Sequence, residues 1–172
     1  MFDNPEIAID DLPDAEDLDW QALHPLYARL IRLQAALGLA VIAIAISALN
    51  VIPNLPLLPI LVAYLLLVGV GALVLVWPSL SVPRRGYVLR DKDILFRKGV
   101  LWQSVTAIPF NRIQHVETSS TPFDRRYALA TLQLFTAGGS SGDLKIDGLG
   151  QDVAEDLRVF ILGRTETSIE RA

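Results

Sequence analysis

The groups that could do chemistry in this sequence are the hydroxyls of Ser104, Ser119, Ser120, Ser140 and Ser141, the imidazoles of His24 and His115, and the carboxylates Asp143 and Asp147. A nucleophilic serine needs a base within hydrogen-bond reach and a strained turn such as G-x-S-x-G, and none of these serines has that context. His115 falls on a predicted strand, where an isolated histidine reads as structural rather than as a general base. Asp143 and Asp147, four apart on another predicted strand, share a face, but polar strand positions beside a turn account for them more simply. The chain has no cysteine, and its two histidines are far apart, so no metal site and no cofactor are expected. The run "GGSSG", 138–142, could present backbone amides to an anion. No helix start or P-loop lysine follows it, so a hairpin loop is the simpler reading. No enzyme activity is expected.

The remaining polar chemistry is arginine. "IPFNRIQHVETSSTPFDRRYALATLQLFTAGG", 108–139, carries Arg112, Arg125 and Arg126, and Arg84 with Arg85 lies just before it. Arg84, Arg85, Arg125 and Arg126 are candidate contacts for anionic lipid headgroups; topology and solvation are the simpler reading of each. Arg112, Gln114, Arg125 and Arg126 are a candidate partner surface. The basic residues are too dispersed for a nucleic-acid footprint, and no nucleic-acid partner is expected.

The elements that position these residues begin with two apolar runs. Hydrophobic residues are 52% of the chain and charged residues only 20%, and the excess lies between Leu33 and Trp77. Residues 33–50 and 57–77 are each predicted to span a bilayer, joined by the proline-rich turn "NVIPNLP". Neither has the flanks of a cleaved signal peptide. Arg29 and Arg32 precede the first run, Arg84 and Arg85 follow the second, and the turn has no basic residue. The positive-inside rule then places both termini in the cytoplasm of a bacterial inner membrane. Gly69, Gly71, Ala63 and Ala72 would allow close helix approach, either within the hairpin or between copies.

Eight acidic and no basic residues precede Trp20, leaving 11 acidic against 15 basic in the rest of a chain of formal charge −4. Residues 1–19 read as an acidic, flexible arm, whose sharper alternative is docking onto arginines or a partner. Residues 20–32 read as an amphipathic helix along the membrane interface, with Asp19 as its cap. After Arg85, short alternating segments with regular turn signals indicate an antiparallel β domain. "GYVLRDKDILFRKGVLWQSV" reads as a hairpin with "RDKD" at its turn and a second corner at Lys98-Gly99. "TLQLFTA" and "DLKIDGL" read as half-buried strands. Thr121, Pro122 and Asp124 spell a helix start that aims Arg125 and Arg126 outward. "QDVAEDLRVFILG" reads as a closing helix with Val153, Ala154, Leu157, Phe160 and Ile161 inward and Gly163 as its stop.

Two apolar spans, then "GYVLRDKDILFRKGVL", the 108–139 stretch and "LRVFIL", resemble the bacterial PH-like membrane proteins, the YdbS-like group, over about residues 30–162. The resemblance implies a membrane α-helical hairpin plus an α+β pleckstrin-homology-like domain of two antiparallel sheets capped by a C-terminal helix, at residues 84–165, followed by a flexible tail at 166–172. Such proteins are mostly of unknown biochemical function and are regarded as membrane-tethered assembly or binding modules, some acting beside a larger relative with several such domains. Expected partners are therefore membrane lipids and either further copies of the chain or a larger membrane protein with related domains. Eukaryotic PH domains often bind phosphoinositides through a basic first hairpin loop; here that loop is "RDKD", balanced by Asp91 and Asp93, so inositide binding does not carry over.

Overall fold

Uniform apolarity decides the first half of the chain, and strict alternation decides the second. The computed structural model describes residues 18–49, 56–136 and 144–169, with backbone alone for 166–169. The acidic arm before residue 18, the 50–55 part of the proline-rich turn, the glycine-serine run, Asp143 and residues 170–172 lie outside the described residues.

Helices α1, Leu26–Leu49, and α2, Leu57–Ser81, are long and apolar enough to cross a membrane. At about 1.5 Å per residue each reaches more than the ~30 Å of a hydrocarbon core. They pack antiparallel: Leu39 lies against Gly71, where a Cβ would meet the leucine at 3.3 Å, and further along α1 Ser47 meets Tyr64. Ser47 donates its proton to the Ala43 carbonyl at 2.8 Å, so the Tyr64 hydroxyl is the donor to Ser47. Gly71 thus serves packing inside the hairpin, whereas Gly38 and Gly69 face open space. Pro56 caps α2 in an extended conformation, and Pro59 falls in the first turn, where its missing N–H costs nothing. Large apolar side chains stand exposed on both helices from Leu33 to Leu80, so neither helix is buried in the chain's own core.

Trp20 does not open an interfacial helix. Gln21–Ala22 form a short strand, β1, paired antiparallel with β2, Gly86–Leu89, through Gln21↔Tyr87 and Ala22↔Gly86. The helix waits until Leu26 because the residue before a proline is driven out of the helical region, and here that is His24 before Pro25. β2 continues into β3, Asp93–Lys98, and β4, Ser104–Pro109, giving a sheet ordered β1-β2-β3-β4. A single 3-10 turn, Phe110–Arg112, leads to a second sheet ordered β5-β6-β7, from Ile113–Ser119, Leu129–Thr136 and Leu144–Gly150. α3, Pro122–Arg126, links β5 to β6, and α4, Gln151–Ile169, closes the fold.

The inward faces follow the alternation: Tyr87, Ile94, Phe96 and Ile108 from the first sheet meet Val116, Leu132, Leu134 and Ile146 from the second. Ala154, Leu157 and Ile161 of α4 seal this core, whereas Val153 and Phe160, expected inward, lie at its rim, 41% and 37% exposed. Phe160 meets Phe110 edge to face at 6.1 Å. Gly163 does not stop α4, which runs on to Ile169; glycine ends a helix only where it takes a left-handed cap, and inside one it merely costs about 1 kcal/mol. The domain also reaches back beyond residue 84, because Leu23 is part of its core and Tyr27, Ala28 and Ile31 pack against it. The chain therefore makes β1, leaves for the two apolar helices, and re-enters at β2. The helical hairpin is an insertion between the first two strands of the domain.

Candidate functional site

The junction between hairpin and domain is built on one glycine. The β6–β7 register slips between Ala130↔Leu149 and Leu132↔Ile146, leaving an extra residue in β7 at Asp147-Gly148. Gly148 adopts φ +76°, a conformation that side chains resist, and a Cβ there would run into the Tyr27 ring. The Gly148 carbonyl accepts from the His24 amide at 2.9 Å, and the His24 carbonyl accepts from the Tyr27 amide at 2.9 Å. The His24 ring turns back so that Nδ1 accepts from the Leu26 amide at 3.3 Å, supplying α1 with a cap that no Ser, Thr or Asp provides. Arg85, Asp147 and Asp124 are the charged groups acting on the Tyr27 hydroxyl. Asp147 also accepts from Thr131 Oγ1 at 3.2 Å and pairs with Lys145 at 3.2 Å. It is a structural carboxylate, committed to the bulge rather than to proton transfer.

The strand registers sort every candidate residue to one of two ends. The chain leaves α2 through a tight turn closed by Arg85 N–H to Val82 O at 3.0 Å and enters β2 at Gly86. Gly86 is paired with Arg97, so the β3–β4 turn lies at this helix end. Gly148 and Gly150 lie there too, against Tyr27 and His24, and Leu129↔Gly150 brings the start of β6 and with it α3 to the same end. Arg84, Arg125 and Arg126 are exposed at the helix end, and Arg85 is half-buried beside Tyr27. α3 owes its position to a complete capping box: Thr121 Oγ1 accepts from the Asp124 amide at 3.1 Å, and Asp124 Oδ2 accepts from the Thr121 amide at 2.9 Å.

Arg112 and Gln114 are exposed at the opposite end, where β5 begins. At roughly 3.3 Å per residue the length of β5 separates them from Arg125 and Arg126. The structure brings together the four arginines considered for headgroup contact and splits the four residues considered as a partner surface. The "RDKD" turn is also at the far end. Arg90 makes a bidentate pair with Asp93, through Nε to Oδ1 at 2.6 Å and a second guanidinium nitrogen to Oδ2, which raises its already high pKa. Asp91 approaches Arg164 at 4.0 Å. No uncompensated basic cluster remains in that loop to receive a phosphate.

Among the described residues, those with nucleophile or base chemistry are not assembled. His115 is exposed on β5 with its ring 5.6 Å from Phe135, Ser104 opens β4, and Ser119 ends β5. An open depression of about 390 Å³ is lined by Thr118, Ser120, Gln151, Asp152 and Glu155, but Glu155 is held below the usual carboxylate range by its hydrogen bonds to Arg158. Among the described residues no three His, Asp or Glu form a group that could hold a metal.

Two packed antiparallel sheets, one closing helix and an apolar hairpin are the arrangement that the resemblance implied, and the chain matches the bacterial PH domain over residues 29–165. The chain belongs to the bacterial PH domain family. The matched stretch begins in α1 and ends in α4, so the hairpin falls inside it. No curated protein and no solved structure matches the chain. The PH-domain family is generally non-catalytic.

Sequence reasoning weighed His24 only as a possible base or metal ligand and assigned no junction role to it, to Tyr27 or to Gly148. The available signal was the glycine that interrupts "DLKIDGL" one residue before its last leucine, where an interior strand glycine marks a bulge or a close approach.

Proposed function

We propose that this bacterial PH domain protein is a non-enzymatic, membrane-anchored module of the YdbS-like kind, with the hairpin in the bacterial inner membrane and both termini cytoplasmic, that presents its domain for protein assembly or partner binding. The observation that carries this reading is the junction: β1 is hydrogen-bonded into the domain before the hairpin, and Tyr27 is seated on Gly148 after it. A tether would need only a loose linker. Two points of attachment fix the orientation of the domain, which is useful when a particular surface must meet a partner embedded in the same membrane. β4, an edge strand exposed along most of its length, is the surface most suited to receive another strand. Gentle detergent extraction followed by native mass spectrometry tests the reading. A discrete homo-oligomer or a stoichiometric complex with another membrane protein is expected; a strict monomer with nothing bound overturns it.

A second reading is favoured by the placement of Arg84, Arg125 and Arg126 at the helix end: a module that responds to anionic lipid. It requires headgroup contacts that weaken with salt and vanish in neutral bilayers. The full chain in nanodiscs of graded anionic content is the system to use, because a fragment beginning at Arg84 would lack β1.

A further inference from the structure

The most exposed large apolar side chain among the described residues is not on the hairpin helices. It is Trp102, 86% exposed, and its neighbour Leu101 is 74% exposed. Both stand at the tip of the β3–β4 turn, whose shape is fixed by Gly99 at φ +118°, where a Cβ would collide with the Trp102 carbonyl. Isolated exposed apolar residues need no explanation, but an indole and an adjacent leucine held at the point of a rigid turn are a costly surface to leave in water.

The register says where that point is. β3 is paired with β2 so that Arg97 faces Gly86, and β4 is paired with β3 so that Ser104 faces Lys98. Residues 99–103 therefore project beyond Gly86 on the side from which the chain arrives out of α2, by roughly two to three residue lengths of about 3.3 Å. α2 ends at Ser81, only one turn before β2. The tip thus lies at the same end of the domain as the base of the hairpin, where the apolar surface of α2 gives way to Arg84 and Arg85. Lys98 flanks the tip on one side and Gln103 on the other, and both are exposed. An indole with an aliphatic neighbour, bracketed by a cation and an amide, matches the chemistry of the headgroup–acyl boundary. The "RDKD" turn, between β2 and β3, lies at the opposite end of the domain and takes no part in this contact.

We propose that Leu101 and Trp102 insert into the membrane interface as a third anchor, beside the two helices, and hold the domain at a fixed tilt against the bilayer. The proposal rests on the hairpin's being membrane-embedded, and the test separates the two. Because the chain has no cysteine, single-cysteine variants Leu101→Cys, Trp77→Cys and Asp91→Cys can each carry one polarity-sensitive fluorophore. All three positions are exposed, so no core contact is lost. The full-length proteins are reconstituted into phosphatidylcholine–phosphatidylglycerol vesicles doped with lipid bearing a shallow nitroxide quencher. The label at 101 is expected to be quenched several-fold more than the label at 91, and nearly as much as the label at 77. Quenching at 77 with none at 101 above the level at 91 overturns the third anchor and leaves the embedded hairpin standing. Absence of quenching at 77 overturns both. A label at 101 that reports an apolar environment dependent on protein-to-lipid ratio, without lipid quenching, assigns the tip to contact between copies and overturns the proposal.

Discussion

The ring of Tyr27, in the first turn of α1, packs against the backbone of Gly148, in the last strand of the domain, and leaves no room for a side chain at that position. This contact joins residues separated by both apolar helices and by every strand but the first and the last, and it makes the hairpin and the bacterial PH domain one packed unit. Its mutational signature is specific. Gly148→Ala combines a strained positive φ with a collision against Tyr27, and is expected to destabilise the protein by about 1–3 kcal/mol. Thermal unfolding in detergent measures the loss. Adding Tyr27→Ala relieves the collision but not the strain, so the double variant should lose less than the sum of the two single losses.

Trp20 lies over the guanidinium of Arg97, 4.6 Å from it, and its Cβ approaches Gly86, so it pins β1 to the sheet. Trp20→Ala is expected to cost on the order of 1 kcal/mol, chiefly as local opening of β1. Hydrogen exchange should speed up at residues 21–24 and at Gly86–Val88, with little change in β6. Uniform change across both sheets would show that β1 is not a separate opening unit.

Tyr87 faces the core from β2, and burial raises its phenol above the usual tyrosine pKa. The unfolded chain ionises this group near the ordinary value of about 10 while the folded chain still holds the proton. Its stabilising effect is therefore complete below that pH and is lost as pH rises toward the folded value. Chemical denaturation between neutral and strongly alkaline pH should show a stability decline that Tyr87→Phe makes shallower; an unchanged slope would remove Tyr87 as a contributor.

The two ends of the domain give a direct test of lipid response. Arg125→Ala and Arg126→Ala, at the helix end, should each reduce the preference for anionic over neutral nanodiscs, whereas Arg112→Ala, at the far end, should leave it unchanged. Thr121→Ala removes the cap of α3, worth about 1 kcal/mol, and should mimic the loss of both arginines in part by letting the turn fray. Equal effects from Arg112→Ala and Arg126→Ala would argue against a headgroup-facing end.

Elements whose physics is local are legible in the amino-acid order. Two uncharged runs could only be long apolar helices, the alternation of "TLQLFTA" could only be a half-buried strand, and Thr121-Pro122 with Asp124 wrote the α3 cap in full. Tertiary structure decided what depends on partners distant in the chain. Gln21–Ala22 carry no strand signal of their own and become a strand only because β2 offers an unpaired edge. α4 runs past Gly163 because that glycine does not take the left-handed conformation of a cap. The grouping of Arg84 with Arg125, and the separation of Arg112 from both, follow from antiparallel register, which no single segment encodes. The placement of Leu101 and Trp102 at the helix end has the same origin: pairing of Gly86 with Arg97 puts the β3–β4 turn at the end where the chain enters from α2.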